Sequence, residues 1–228
     1  MIILQFVSVL LVGYLLGSIP FGLLVSKRSA KVDVREYGSG KIGTTNVLRV
    51  AGKKAAVLVV VLDVLKGALA VVFAGLVIGR GYLVVGDFAL GALTAQVLAA
   101  LAAMAGHNWS VFLKFQGGRG VATFFGGMAV LFPLAALFGG EVIIIGVGLS
   151  RFASLGSIAG AVGAYTILVP LTVLNGFPIE YLAYALIGTV AIVFMHRDNI
   201  VRLISGKERK LGEKAEKAVL PLSDEPKG

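Results

Sequence analysis

Three polar segments carry residue types suited to binding phosphate groups, and the first spans residues 38–49. It reads Gly-Ser-Gly-Lys-Ile-Gly-Thr-Thr-Asn-Val-Leu-Arg. Its glycines allow successive backbone N–H groups to point into one concavity, ahead of a helix whose N-terminus attracts anions. We expect Thr44, Thr45 and Asn46 to cap that helix and Arg49 to add a bidentate contact. A nucleotide-binding P-loop is disfavoured, because that pattern requires lysine directly after its second glycine.

The second segment, residues 106–123, repeats this arrangement. Three glycines surround Arg119 ahead of an apolar stretch, and a second glycine nest predicts a site for two phosphate groups. Lys114 either pairs with phosphate or only marks the membrane orientation. The aromatic residues Trp109, Phe112 and Phe115 favour a position at the lipid headgroups over stacking on a ligand.

The third segment begins at His196. On a helix His196, Asn199 and Arg202 share one face, because they are spaced three residues apart. We expect His196 to hydrogen-bond within the site; a role as base, or a place at the membrane interface, is the alternative. The chain has two histidines and no supporting carboxylate cluster, so no metal and no cofactor is predicted.

Ionisable residues also interrupt the apolar sequence. Asp63 and Lys66 lie three residues apart inside an apolar stretch, where a charge is costly unless it is paired or functional. A buried ion pair that fixes helix packing and a catalytic role remain equally open. Arg151 with Ser154 and Ser157 forms a smaller polar cluster, or else a topology signal with a helix cap.

Composition indicates which elements position these segments. Apolar residues make up 57% of the 228, charged residues 14%, and the mean hydropathy is +0.93, which is too apolar for a soluble domain. Of the 21 Lys and Arg residues, 19 lie in four polar stretches between apolar ones. This pattern predicts an all-α, multi-span membrane protein and explains the net charge of +9 by lipid headgroups, without a nucleic acid partner. The chain has no cysteine, which excludes disulfides and thiol catalysis.

The apolar stretches predict seven transmembrane helices. Five spans are predicted at 2–25, 55–79, 83–105, 152–174 and 178–195. Residues 121–150 are predicted to cross twice as short half-length helices, turning near Pro133 or Gly139-Gly140, because only two crossings place every basic loop on one face. The N-terminus is then outside and the C-terminus cytoplasmic. Residues 1–206 form one domain, and 207–228 form a charged tail that is expected to be partly disordered.

The three segments resemble the signature motifs of the bacterial acyl-phosphate:glycerol-3-phosphate acyltransferases, small integral membrane enzymes that begin phosphatidic acid synthesis. Residues 17–22, Asp63-x-x-Lys66-Gly67 and Arg151-x-x-Ser154 are similar to that family as well, in the same order. Lys41 and Arg119 depart from it, since Asn and Lys are usual there. The resemblance implies acyl transfer from acyl phosphate to the 1-hydroxyl of sn-glycerol 3-phosphate, without a metal, at the cytoplasmic side of the bacterial inner membrane. It also implies contact with membrane lipid and with the soluble enzyme that makes acyl phosphate.

The motifs and the resemblance together predict the site residues. The predicted catalytic residues are Ser39, Arg49, Lys114, His196 and Asn199. The predicted substrate- and phosphate-binding residues are Gly38, Gly40, Gly43, Thr45, Asn46, His107, Gly117, Gly118, Arg119, Gly120 and Ser154. The predicted structural residues are Asp63, Lys66 and Glu208.

Three other functions compete with this one. A transporter for a phosphorylated metabolite would also gather helix ends and cations around an anion, but it favours inverted repeats and polar residues at mid-membrane on several spans. A lipid phosphatase would need a second histidine shortly after Arg151, and the next histidine is His196. A non-catalytic membrane scaffold would not require two glycine nests on one face.

Overall fold

The computed structural model describes residues 1–215 and 217, and the protein is mostly helical. Its α-helices are α1 (Ile2–Ser18), α2 (Phe21–Ser29), α3 (Thr44–Ile78), α4 (Ala92–Asn108), α5 (Val121–Leu131), α6 (Pro133–Ser150), α7 (Ala153–Asn175), α8 (Ile179–Met195) and α9 (Arg197–Ile204). One antiparallel hairpin joins α3 to α4, with strands β1 (Leu83–Val85) and β2 (Phe88–Leu90). Single 3-10 turns lie at Val34–Glu36 and Val111–Leu113.

Within the described residues, four helical stretches are long and apolar enough to cross a membrane. They are Ile2–Ser29, Thr44–Ile78, Pro133–Ser150 and Ala153–Asn175. A fifth arises if α8 and α9, which meet at a bend of 60°, are taken as one span. Large apolar side chains such as Leu76, Leu149 and Leu174 are about four-fifths exposed, as expected of helices that face lipid. The prediction of a helical, multi-span membrane protein is therefore confirmed.

The predicted span at 83–105 is wrong at residues 83–91, so the mostly helical fold includes one short hairpin there. Residues 83–90 form the hairpin, and α4 begins only at Ala92. The cause is the Gly86-Asp87 pair between two short apolar runs, because Gly86 takes a φ of +59° that a tight hairpin turn requires.

Residues 121–150 fold as two helices, as predicted, but only α5 is short. The break falls at Phe132, because Pro133 has no N–H to continue α5 and is well suited to the first turn of α6. Gly139 and Gly140 lie inside α6, which has 18 residues.

A break in the helical backbone divides α3 into two segments. Gly52 has φ 82° and ψ −179°, a conformation nearly restricted to glycine, and it divides a short first segment carrying Arg49 from the long apolar remainder. The chain therefore changes direction after residue 51, which sets where Arg49 lies relative to the rest of the site.

Glycines allow the helices to approach closely. A Cβ at Gly17 of α1 would collide with the carbonyl oxygen of Ala103 in α4, and one at Gly67 of α3 would collide with that of Thr123 in α5. Such close contacts through small residues are typical of helix pairs in membranes. They hold the ends of α4 and α5, which carry the second polar segment, against α1 and α3.

Candidate active site

Two adjoining cavities lie where the polar segments meet. The larger has a volume of about 330 Å³. Its lining combines polar residues with an apolar part, called here its apolar end, which includes Val60, Val64, Phe125 and Ile143. It is lined by Ser39, Lys41, Gly43, Thr44, Thr45, Asn46, Val60, Asp63, Val64, His107, Arg119, Gly120, Val121, Ala122, Phe125, Gly140, Ile143, Ser157 and His196.

The smaller cavity, of about 30 Å³, is mainly polar and rich in arginine. It is lined by Ser39, Thr45, Arg49, Arg119, Ala153, Ser154, Ser157, His196, Asn199, Arg202, Glu208 and Arg209. Ser39, Thr45, Arg119, Ser157 and His196 line both cavities. The two cavities therefore meet at a shared polar wall.

Asn46 organises the first polar loop. Its amide Nδ2 lies 2.9 Å from the carbonyl oxygens of Val34, Tyr37 and Lys41, and its Oδ1 accepts from the backbone N–H of Ser39 at 3.4 Å. The expected side-chain cap is wrong, because the N-cap residue of α3 is Gly43, which has no side chain to accept a hydrogen bond. The unpaired N–H groups of the first turn consequently remain available at the cavity wall.

Three helix N-termini contribute to the cavity walls. α3 supplies Gly43 and Thr44, α5 supplies Gly120 and Val121, and α7 supplies Ser154. Each N-terminus carries partial positive charge on its first N–H groups, so their convergence favours bound anions.

Buried cations add full charges to these dipoles. Burial, followed by the nearby Arg202 guanidinium, lowers the pKa of Arg119 to about 10. Burial likewise lowers the pKa of Lys41, with Arg119 adding to the shift. Among the described residues, the Nε atoms of Arg49 and Arg119 are buried without a hydrogen-bond partner. Excess positive charge and unused donors indicate that an anion completes this site.

Glu208 joins α7 to α9 at the wall of the smaller cavity. Its Oε1 accepts from Ser154 Oγ at 2.9 Å and from Asn199 Nδ2 at 2.6 Å, and its Oε2 accepts from Arg202 Nε at 2.8 Å. Burial raises the pKa of the Glu208 carboxyl, but these three hydrogen bonds outweigh burial and the pKa is lowered overall. Glu208 is thus an ionised anchor for the first residues after α9.

The residues after Glu208 fold over the site. Arg49 Nη2 donates to the carbonyl oxygens of Arg209 and Lys210, both at 3.2 Å, and the Leu211 N–H donates to Arg151 O at 2.7 Å. Residues 207–211 therefore contact both α3 and the α6–α7 connection. The expected disorder of the tail concerns residues of which most, 216 and 218–228, lie outside the described part of the chain.

His196 presents a hydrogen-bond acceptor to both cavities. It is 2% exposed and lies at the bend between α8 and α9. Its Nδ1 lies 2.8 Å from the carbonyl oxygen of Ile192, which only accepts, so Nδ1 must carry the proton. In the neutral ring Nε2 is then the acceptor.

His107 has the opposite arrangement. Lys66 Nζ lies 2.7 Å from Asp63 Oδ1, 2.8 Å from His107 Nδ1 and 3.2 Å from the Ile19 carbonyl oxygen. The ammonium of Lys66 can only donate, so Nδ1 of His107 accepts and Nε2 carries the proton. Asp63 and His107 line the larger cavity, whereas Lys66 supports them from behind.

The second polar loop divides into a packing part and a site part. A Cβ at Gly117 or Gly118 would collide with the backbone or ring of His107, so both glycines pack against α4 instead of lining a cavity. Lys114 is exposed on a left-handed turn with φ 51°, away from both cavities. Arg119 lines both cavities, and Gly120 beside it lines the larger one.

Most of the predicted site residues lie together. The predicted residues that line a cavity are Ser39, Arg49, His196, Asn199, Gly43, Thr45, Asn46, His107, Arg119, Gly120, Ser154, Asp63 and Glu208. The others, Lys114, Gly38, Gly40, Gly117, Gly118 and Lys66, are not among the lining residues. Arg209 and Ile143 were missed. Arg209 had no sequence signal, and Ile143 is one apolar residue among many.

Comparisons with known proteins identify the family. Residues 7–206 match the family described as glycerol-3-phosphate acyltransferase. The chain belongs to this family. Glycerol-3-phosphate acyltransferase 3 of Dehalococcoides mccartyi strain CBDB1 is 65% identical over 94% of this chain and 100% of its own length. The glycerol-3-phosphate acyltransferase of Halalkalibacterium halodurans is 41% identical over 90% of this chain and 94% of its own.

Solved structures agree with this assignment. The crystal structure of PlsY (YgiH), an integral membrane glycerol 3-phosphate acyltransferase, in its glycerol 3-phosphate form has a TM-score of 0.78 and 35% identity, covering 91% of this chain and 96% of PlsY. The lysophosphatidic acid form has a TM-score of 0.76 at 34% identity. The chain is therefore a PlsY-type glycerol-3-phosphate acyltransferase and a multi-pass membrane protein, and the competing transporter interpretation has no support.

Proposed function

We propose that this acyltransferase moves a fatty acyl group from acyl phosphate to the 1-hydroxyl of sn-glycerol 3-phosphate. The products are 1-acyl-glycerol 3-phosphate and inorganic phosphate. The observation that carries the proposal is the pairing of a cavity with an apolar end and a small arginine-rich cavity, joined at Arg119 and His196. The lining of the first suits an amphipathic anionic donor, and the charge of the second suits the phosphate of a small acceptor.

Glycerol 3-phosphate takes the arginine-rich side in this proposal. Arg49, Arg202 and Arg209 lie there, and Arg49 Nε is a buried donor without a partner among the described residues. Guanidinium groups bind phosphate oxygens in pairs, so this side holds the acceptor phosphate. PlsY has been crystallised in a glycerol 3-phosphate form, which supports a site for that substrate.

Acyl phosphate takes the larger cavity. Its phosphate lies against the N-termini of α3 and α5 and near Arg119, and its chain extends toward the apolar end. Ser39 and the Nε2–H of His107 are the donors that this cavity offers to phosphate or to the acyl carbonyl. Arg119 takes the phosphate-pairing role expected of Lys114, because Lys114 is exposed away from the cavities.

The transfer needs little covalent help from the protein, since acyl phosphate is an activated mixed anhydride. The 1-hydroxyl oxygen attacks the acyl carbon, an ester bond forms, and the anhydride C–O bond breaks to release phosphate. His196 Nε2 accepts the hydrogen bond of the attacking hydroxyl and orients it, and the released phosphate takes up the proton. Positioning of two reactants is worth roughly 7–11 kcal/mol of barrier, and the cations stabilise the charge that develops.

Asn199 and Glu208 hold the acceptor side in shape. Because Asn199 Nδ2 donates to Glu208, the amide Oδ1, which is buried and unpaired among the described residues, remains to accept from a substrate hydroxyl. Glu208 acts through Asn199, Ser154 and Arg202 and is a structural residue in this proposal. Asp63 and Lys66 likewise act through His107.

The membrane arrangement completes the proposal. The chain crosses the inner membrane seven times, with its N-terminus outside and its C-terminus and active site in the cytoplasm, because this places the basic loops inside. Residues 1–206 form the membrane acyltransferase domain, and Glu208 and Arg209 of the tail 207–228 contribute to its smaller cavity. A cytoplasmic site also allows contact with the soluble enzyme that makes acyl phosphate.

The donor is tested with purified protein in detergent. Acyl phosphate and glycerol 3-phosphate are expected to yield lysophosphatidic acid and inorganic phosphate in equal amounts, with or without EDTA, since the proposed chemistry uses no metal. Acyl-CoA is expected to give no product. Turnover with acyl-CoA alone would overturn the donor assignment, and glycerol 3-phosphate movement in sealed vesicles without turnover would favour the transporter.

A further inference from the structure

The apolar end of the larger cavity is built by three helices. α3 contributes Val60 and Val64, α5 contributes Phe125, and α6 contributes Gly140 and Ile143. α5 packs against both α3 and α6. The apolar space therefore lies between two membrane-spanning helices, with α5 alongside.

This end of the cavity opens toward lipid. Val60 lines it and is nevertheless 38% exposed, on a face of α3 where Val57 and Val61 are also exposed. An apolar chain anchored by a phosphate at the polar end can thus run along the cavity toward the bilayer, where burial of each methylene is favourable.

Gly140 differs from its neighbour Gly139 in what surrounds it. A Cβ at Gly139 would lie 2.7 Å from the Gly160 carbonyl oxygen and 2.8 Å from a ring carbon of Phe125, so this glycine is required for helix packing. A Cβ at Gly140 would meet no atom within 4 Å. Since Gly140 lines the cavity, a side chain there would occupy space that the cavity now contains.

We propose that Gly140 determines the length of acyl chain that the enzyme accepts, by leaving the apolar end of the cavity unobstructed. Ile143, one turn further along α6, forms the adjoining wall. The inference rests on the proposed function, in which the apolar end holds the chain of the acyl phosphate. An apolar pocket discriminates each added methylene by about tenfold or more when it lacks room for it.

The test compares Gly140→Leu with the wild type on acyl phosphates from decanoyl to octadecanoyl. The ratio of kcat/KM for octadecanoyl to that for decanoyl phosphate is expected to fall at least about tenfold. The KM for glycerol 3-phosphate is expected to stay within about twofold, because Gly140 is not part of the arginine-rich cavity. Gly148→Leu is the matched control: Gly148 lies on the same helix, also has no atom near its Cβ and lines neither cavity, so its chain-length profile should equal that of the wild type.

Ile143→Ala supplies the opposite test and does not depend on the larger side chain folding well. It enlarges the cavity and is expected to raise the octadecanoyl to decanoyl ratio. If the wild type is active and the chain-length profiles of both variants equal its own, the inference is overturned. The apolar end would then be a space occupied by bilayer lipid. An inactive wild type on every acyl phosphate would instead contradict the proposed function.

Discussion

Arg119 is placed to contact both proposed substrates. It lies on the wall shared by the cavities, and burial beside Arg202 lowers its pKa to about 10, which still leaves it charged at neutral pH. A charged donor with little access to water interacts strongly with phosphate, because solvent screening is weak there. Lys114, five residues earlier, is exposed and screened.

Arg119→Gln is expected to lower kcat/KM by roughly tenfold to hundredfold, since a hydrogen bond to a charged group contributes about 1.5–3 kcal/mol. Lys114→Gln is the matched control and should change kcat/KM by less than about threefold. Steady-state rates of monodisperse protein measure both. A larger loss of kcat/KM in the Lys114 variant than in the Arg119 variant would show that Lys114, and not Arg119, binds the phosphate.

The sequence alone could not show which of Arg119 and Lys114 binds phosphate. Both lie in the same motif, and charge and spacing suit either one. The distinction comes from the consecutive left-handed residues Lys114 and Phe115, with φ of 51° and 60°, which direct the lysine outward. Positive φ at such residues is uncommon and carries no sequence signal as clear as glycine.

The ionised Glu208 carboxylate is expected to make the stability of the folded protein depend on pH. Its pKa in the folded protein is below the ordinary value of 4.5, so its contribution is fully present above that value and is lost as the pH falls through the folded-state pKa. Glu208→Gln should therefore lower Tm at pH 7, and the difference from wild type should shrink progressively below pH 4.5. Thermal unfolding in detergent across this range measures it; a difference independent of pH would contradict the ionised anchor.

At the scale of elements, the break in α3 sets the geometry of the arginine-rich cavity. Gly52 has a backbone conformation nearly restricted to glycine, and its Cβ position is open. Any effect of a small side chain there must come from the backbone and not from a clash. The segment that this break redirects carries Arg49, whose guanidinium reaches the backbone after Glu208.

Gly52→Ala is expected to raise the KM for glycerol 3-phosphate by roughly tenfold, because the strain of about 1–3 kcal/mol is relieved by moving Arg49. Gly91→Ala is the control, since Gly91 also has open space at its Cβ but an ordinary φ of −97°. Its KM should match the wild type. Equal KM values in all three proteins would show that the break does not position the site.

Helices were more predictable than the breaks between them. The long apolar stretches of α3, α7 and α8 follow directly from the cost of unpaired backbone in lipid. The hairpin at 83–90 was missed because its strands are three residues long and apolar, like the end of a span. The fold of residues 207–211 over the site was missed because it depends on Glu208 and Arg49, which are distant in sequence.

At the scale of the whole molecule, the site exists only because distant segments meet. Residues from the start of α3, the α4–α5 connection, the start of α7 and the α8–α9 bend line the same two cavities. Each of these segments is polar and most are basic, so the positive charge that predicts membrane orientation also supplies the anion site. The same basic residues therefore predict the membrane orientation and supply charge to the anion site.

The central claim, that segments distant in sequence form one site on one membrane face, is tested most directly by labelling single cysteines from each side of the membrane. The chain has no native cysteine to interfere. Glu36→Cys, Ser205→Cys and Asp87→Cys place exposed thiols in the first polar loop, after α9 and in the hairpin turn. In right-side-out vesicles an impermeant maleimide should label position 87 only, and positions 36 and 205 should react together once the membrane is opened. Labelling of positions 36 and 205 from opposite faces would contradict a single site built from both segments.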